Sequence, residues 1–194
     1  IDLAMQVLNI DMPTAIQMLD QVSLNPKVNS NLQQEKAQAP AKKKAAAKTT
    51  LQLLRVEEFQ STILNGYLRG RGIKTELLTQ SIQTMSHLKQ VIYKVEGRDK
   101  EYFALGWKNS AGDFELRSKN FQGFIGKAKT YTFIKGRIPG IAIFESFIDY
   151  FSALTHFGKP SLGYDILILN STRLVKQTLE LVLAQPEIHS FLDN

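Results

Sequence analysis

The stretch that decides the fold is IAIFESFIDYFSALTHFGKPSLGYDILILNSTRLVKQTLELVLAQPEIHSFLDN, residues 141–194. IAIFE (141–145) and YDILILN (164–170) are short apolar runs without alternation, the pattern of strands buried on both faces. FIDYFSALTHFG (147–158) and RLVKQTLELVLAQ (173–185) have helical periodicity, and IHSFLDN (188–194) closes the run as a third strand. Strands alternating with helices in this order predict a parallel β-α-β-α-β module. Ligands of such sheets bind outside the carboxyl ends of the strands, where Glu145 follows the first strand and Asp193 the third.

Upstream, VIYKVE, EYFALGWKN and DFELRS are short, aromatic and β-branched, and Asn109-Ser110-Ala111-Gly112 joins the last two as a hairpin turn. A small antiparallel sheet is expected there. LLRVEEFQSTILNGYL and TELLTQSIQTMSHLK read as helices, broken by Arg69-Gly70-Arg71-Gly72. FQGFIGKAKTYTFIKGRIPG (121–140) reads as a glycine-punctuated basic loop with strand pieces. The fold class is thus α/β, α+β overall: a small antiparallel sheet with helices, then the parallel module. Residues 26–50, rich in Gln, Ala and Lys, read as a flexible basic linker. Residues 1–25 read as two short helices, the remnant of an upstream module. Residues 51–140 form a first subdomain and 141–194 the parallel one.

The net charge of +6 is unevenly placed. Residues 1–25 hold three acids and no Lys or Arg, and residues 26–50 hold six lysines against Glu35. Residues 51–144 carry 15 basic and 8 acidic side chains, whereas residues 145–194 carry 3 and 6. A basic half beside an acidic half suits a protein that holds phosphates in one part and divalent cations in another, although a solvated surface can carry the same asymmetry by chance. With no cysteine the chain has no disulfide, no thiol nucleophile and no cysteine-ligated zinc. No apolar run reaches the roughly 18 residues of a membrane span, and the first residues lack a secretory signal, so a cytoplasmic location is expected.

A carboxylate at the end of a buried strand is a suitable ligand for Mg²⁺, which takes oxygen donors and commonly keeps one or two carboxylates with water and phosphate. Glu145 could equally cap the following helix, where negative charge is favoured, with Asp193 a loop acid. His87, His156 and His189 have no metal-ligand spacing. Trp107, Tyr102 and Phe103 suit either a core or base stacking. Lys127, Lys129, Lys135 and Arg137 stand among glycines without nearby acids and are candidate phosphate contacts. No phosphate-cradling P-loop pattern is present.

IAIFESFIDYFSAL resembles the first signature of the Toprim domain, the module shared by bacterial primases, topoisomerases and some nucleases. Glu145 matches its glutamate and Asp149 the following aspartate, while Ser146 stands where the family usually has glycine. HSFLDN resembles the start of the second signature, with Asp193 as its first aspartate. EYFALGWKNSAGDFELRSKNFQG and YLRGRGI are similar to segments of bacterial-type DNA primases carried by plasmids and other mobile elements, with Arg117 matching an arginine of that family. The opening helices resemble the stretch that closes the zinc-ribbon domain of those primases.

The resemblance implies a primase core with Glu145 and Asp193 as catalytic metal ligands, assisted by Asp149, for Mg²⁺ or Mn²⁺, and zinc only in an upstream domain. Arg117, Lys127, Lys129, Lys135 and Arg137 would bind nucleic acid or nucleotide. The implied partners are single-stranded DNA, ribonucleoside triphosphates and a replicative helicase. The alternatives are a catalytically inactive nucleic-acid-binding accessory protein, or another Toprim enzyme, a nuclease or topoisomerase. The second signature breaks off after Asp193, so the 194-residue chain is expected to bind metal weakly and to make no primers unless extended.

Overall fold

The computed structural model describes residues 50–192. The chain divides between Lys48 and Thr49, and the described residues belong to the second unit. The expected helical remnant at 1–25 and the linker at 26–50, apart from Thr50, lie outside the described residues, as does Asp193.

The fold is mixed α/β with two sheets. The first is a five-stranded antiparallel meander of β1 (Leu51–Glu58), β2 (Leu88–Val95), β3 (Glu101–Lys108), β4 (Phe114–Ser118) and β5 (Phe121–Ile125). Three helices, α1 (Thr62–Gly70), α2 (Thr75–Thr79) and α3 (Ile82–His87), lie between β1 and β2. The hairpin turn at 109–112 sits where its sequence places it, between β3 and β4.

Two expectations need correction. Residues 51–58 are not helical but form β1, paired with β2 from Leu51↔Val95 to Glu58↔Lys89. The register shifts between Leu53 and Arg55, so an extra residue interrupts the alternation of the strand. That bulge spaces the half-buried Leu51 and Leu54 three apart, which mimics a helical stripe. The stretch 75–89 is likewise not one helix. Ser81 interrupts it, accepting a hydrogen bond from the Thr84 amide at 3.1 Å as the N-cap of α3.

The second sheet is mixed, with order β6-β8-β7-β9. β7 (Ile141–Phe144) pairs in parallel with β8 (Asp165–Ile168) on one side and with β9 (Ile188–Phe191) on the other. The strand pieces expected in 121–140 are β5 in the first sheet and β6 (Thr132–Ile134), an antiparallel edge against β8 in the second. Helix α4 (Phe147–Phe157) ends on Gly158, whose φ of 63° is a left-handed cap that glycine adopts without strain. A single 3₁₀ turn at Thr172–Leu174 leads into α5 (Val175–Leu183).

Side-chain alternation in β7 and β8 divides the two faces. Ala142, Phe144, Ile166 and Ile168 pack in one cluster with Phe147, Phe151 and Leu154 of α4. Ile141, Ile143, Leu167 and Leu169 pack in another with Val182 and Val175 of α5. The helices therefore cover opposite faces. The α4 cluster also takes in Leu105, Trp107, Leu64 and Leu68, so the antiparallel sheet, α1 and the mixed sheet share one core. The opposite face of the antiparallel sheet has its own cluster, built on Val91, Tyr93, Phe114 and Leu116.

Candidate functional site

The carboxyl edge of the mixed sheet is the place where chemistry can be assembled. The connection from β7 to β8 runs to one side and that from β8 to β9 returns past β7 to the other, so the carboxyl ends of β7 and β9 flank a topological switch point. Glu145 is the first residue beyond β7 there and is half-buried. Phe144 pairs with Phe191, so the two strands deliver their next residues at the same level.

The residue after Glu145 is the helix cap. Ser146 has the extended backbone of an N-cap, and its amide and hydroxyl donate to Asp149 Oδ2 at 3.0 and 2.8 Å. Asp149 thus makes the reciprocal contact of a capping box and sits in the first turn of α4, where its charge is favoured. Its geometry explains the serine: a glycine at 146 would lose the hydroxyl contact. Among the described residues no group of three or more His, Asp or Glu side chains is placed to hold a metal ion.

Beyond β8, at the same edge, Asn170 adopts φ 58°, which asparagine tolerates better than most residues. Its Nδ2 donates to the Thr130 carbonyl at 2.8 Å and to Thr132 Oγ1 at 3.3 Å, tying the loop before β6 to the sheet. Its Oδ1 is buried without a partner among the described residues.

The candidate cations separate into two groups. Lys127 and Lys129 lie in the loop between β5 and β6, which approaches the carboxyl edge. That loop is clamped to the β3–β4 turn: Asp113 Oδ2 accepts from the Lys127 and Ala128 amides at 2.8 and 2.7 Å, and Asn109 Nδ2 donates to the Ala128 carbonyl at 2.9 Å. Gly126 allows the clamp, because its φ is 138° and a Cβ there would stand 2.1 Å from Asp113 Cγ. Lys135 and Arg137 are at the other end of the sheet. Lys135 Nζ contacts the buried Asp165 Oδ2 at 2.8 Å, and the Arg137 amide donates to the Gly163 carbonyl at 2.7 Å. Asp165 is level with Ile141, at the amino end of β7, so Lys135 and Glu145 are on the order of 13 Å apart along the strand direction at about 3.3 Å per residue.

Arg117 is on β4, opposite Leu105 and Gln122. Two residues earlier, Glu115 is buried opposite Trp107 and Phe124. Its Oε2 is 3.4 Å from Lys129 Nζ and its Oε1 is buried without a partner among the described residues. Burial pushes the Glu115 carboxyl up, against the pull of Lys129 and Arg117. A groove between α1 and the end of β4 is lined by Tyr67, Arg71, Phe103 and Lys119 among others. Arg71 Cζ lies 6.0 Å from the Tyr67 ring centroid.

Sequence reasoning missed Glu115, Lys119 and Asn170 as site neighbours. The alternation of DFELRS puts Glu115 on the face opposite Phe114 and Leu116, where a charged residue reads as solvent-facing, so its burial had no signal in the sequence. Of the aromatics, Trp107 is fully buried and serves the core, while Phe103 is 40% exposed beside the groove. The histidines are dispersed: His87 stacks on Trp107, His189 contacts Glu187 at 3.1 Å and Tyr164, and His156 is in the last turn of α4.

No curated protein and no solved structure matches the chain. A family model described as a domain of unknown function (DUF8464) matches residues 53–126, a span that in this chain runs from within β1 to just past β5 and stops before the mixed sheet.

Proposed function

We propose that the chain contributes to a primase-type core that joins ribonucleotides on single-stranded DNA, with residues 141–194 as a Toprim-like module. The observation that carries this reading is the position of Glu145, at the carboxyl end of β7 beside a parallel β9 that leads toward Asp193. Glu145 and Asp193 would hold Mg²⁺ or Mn²⁺. The oxygen-only donors fit a hard cation that needs few protein ligands. The ion, when bound, neutralises charge on a transferring phosphoryl group.

The chain's own side chains supply the rest. Arg71 and Lys119 would give phosphate contacts in a groove with the exposed Phe103 and the half-buried Tyr67, the combination of cations and aromatic faces that single-stranded nucleic acid takes, and Arg117 would add a contact from β4. Lys127 and Lys129 extend that basic surface on a loop that Asp113 holds in one conformation. Lys135 and Arg137, at the far end of the mixed sheet, would touch phosphate only on a strand that crosses the module.

A nucleic-acid-binding accessory protein without catalysis is the second reading, favoured by the engagement of Asp149 with Ser146. Dinucleotide synthesis on a single-stranded template, with ribonucleoside triphosphates and Mg²⁺, separates the two. Synthesis that Glu145→Gln abolishes supports the primase reading. Template binding without synthesis, in a chain extended past Asn194, supports the accessory one.

A further inference from the structure

Glu115 is an unusual acid to find where it is. Its side chain is only 10% exposed, one carboxylate oxygen has no partner among the described residues, and the other faces Lys129, whose side chain is 46% exposed. Register places Arg117 on the same face of β4, two residues on. The cross-strand neighbours of Glu115, Trp107 on β3 and Phe124 on β5, do not titrate. Lys129 and Arg117 are therefore the charged groups that face it, and Lys129 also lies 6.0 Å over the Phe124 ring.

A buried carboxylate with half its hydrogen-bonding capacity unused is costly to keep ionised. A lone cation beside it is already neutralised and attracts phosphate weakly. We propose that Glu115 is a built-in competitor for phosphate: it holds Lys129 in the unliganded protein, and binding of a single-stranded DNA phosphate to Lys129 and Arg117 is accompanied by fractional uptake of a proton from solvent onto Glu115. The proton offsets part of the charge. As the phosphodiester takes over Lys129, the carboxylate loses its counterion and shifts toward the neutral acid, the form its surroundings favour. DNA affinity at this position is thereby linked to pH, and this rests on the nucleic-acid reading above.

The test uses the full chain and a fluorescein-labelled oligothymidylate of about 20 nucleotides, whose phosphodiesters stay ionised at all pH values used. Affinity is measured by anisotropy at fixed salt from pH 8.0 to 5.5 for wild type, Glu115→Gln, Lys129→Gln and the double variant. Wild type should gain roughly two- to fivefold on acidification through this position, the scale of one partly exposed ion pair. At pH 8.0 Glu115→Gln should bind more tightly than wild type by roughly that factor, and its affinity should rise less on acidification. Contributions of all other groups are common to the two proteins and cancel when they are compared at the same pH. In the Lys129→Gln background the second substitution should change nothing, an outcome that a purely structural role for Glu115 does not give. Equal affinity and equal pH slope for wild type and Glu115→Gln, with salt-sensitive binding retained, would overturn the competitor role alone. Absence of binding by every form overturns the nucleic-acid reading with it.

Discussion

Phe144 and Phe191 stack at the carboxyl ends of β7 and β9, with centroids 4.8 Å apart and planes within 9°. The pair occupies the last register position of the two parallel strands, so it fixes the level at which each strand enters the loop beyond. Phe144 is fully buried, whereas Phe191 is 36% exposed and also meets the edge of Phe157. Phe144→Ala should cost about 3–5 kcal/mol, the usual range for a large aromatic removed from a core. Phe191→Ala should cost about 0.5–1.5 kcal/mol from the lost aromatic pair, with some further loss of buried area. Urea unfolding of the two variants measures both values, and equal losses would show that β9 is as firmly docked as β7.

Trp107 is a central side chain in the core that joins the two sheets. Trp107 stacks on Phe147 at 5.6 Å and meets Phe151 edge-on at 5.4 Å, while its Nε1 donates to Thr132 Oγ1 at 3.1 Å. Thr132→Val keeps the shape but leaves the buried N–H without its acceptor. A loss of about 1–3 kcal/mol should follow. Because Asn170 also donates to that hydroxyl, Asn170→Ala combined with Thr132→Val should cost less than the sum of the two. Additive losses in a double-mutant cycle would show that the shared oxygen does not couple them.

His87 makes stability depend on pH. Burial beside Trp107 lowers its pKa from the ordinary value, against the effect of its contact with the Lys108 carbonyl at 2.7 Å. A depressed folded-state pKa means that the unfolded chain takes up the proton first. The stabilising contribution is complete above about 6.5, the ordinary histidine value, and is lost as pH falls from there through the folded pKa. The melting temperature of wild type should therefore drop on acidification below that value more than that of His87→Gln. Parallel curves for the two proteins would assign the acid sensitivity elsewhere.

The buried strands β7 and β8 were legible because largely apolar runs without alternation cannot be read as anything half-exposed, while the antiparallel pairing of β6 that makes their sheet mixed was not foreseen. IAIF and DILI announce themselves by composition, and the helices between them by period. β1 was not legible, because its bulge placed Leu51 and Leu54 at helical spacing and its stability comes from β2, 30 or more residues away. β6 was only half visible: three residues pinned by pairing with β8 leave little local pattern. Glu145 could be singled out by standing after a buried strand. Glu115 could not be read with equal ease, since a burial that leaves an oxygen unpaired depends on what Trp107, Phe124 and a distant lysine do in three dimensions.

Arg117→Ala and Lys127→Ala should each weaken single-stranded DNA binding, and each should reduce the slope of log affinity against log salt by about 0.7, the single-strand value per neutralised phosphate. Lys135→Ala should have a smaller effect on binding and a larger one on folding, because it leaves the buried Asp165 with the Gly136 amide as its remaining contact. Salt titrations by anisotropy, paired with thermal melts, separate the two outcomes. A loss of binding for Lys135→Ala equal to that for Arg117→Ala would place the strand across the far end of the mixed sheet.

Glu145 and Asp149 make opposite predictions although they are four residues apart. Asp149 is committed to Ser146, so Asp149→Asn should lower the melting temperature through the loss of roughly 0.5–2 kcal/mol of capping stability and leave metal affinity little changed. Glu145 stands clear of that cap at the strand end, so Glu145→Gln should leave stability nearly unchanged and weaken Mn²⁺ binding by roughly tenfold or more. Mn²⁺ is the useful probe, because its paramagnetism reports occupancy directly, without reference to synthesis, and Mg²⁺ competition then gives the affinity for the lighter ion. The same Glu145→Gln protein should bind oligothymidylate as wild type does, since the phosphate contacts assigned to Arg117 and Lys127 lie on β4 and the clamped loop. If Asp149→Asn removes Mn²⁺ binding and Glu145→Gln does not, the ion sits over the first turn of α4 rather than at the β7–β9 crevice, and the Toprim-like reading of the module falls.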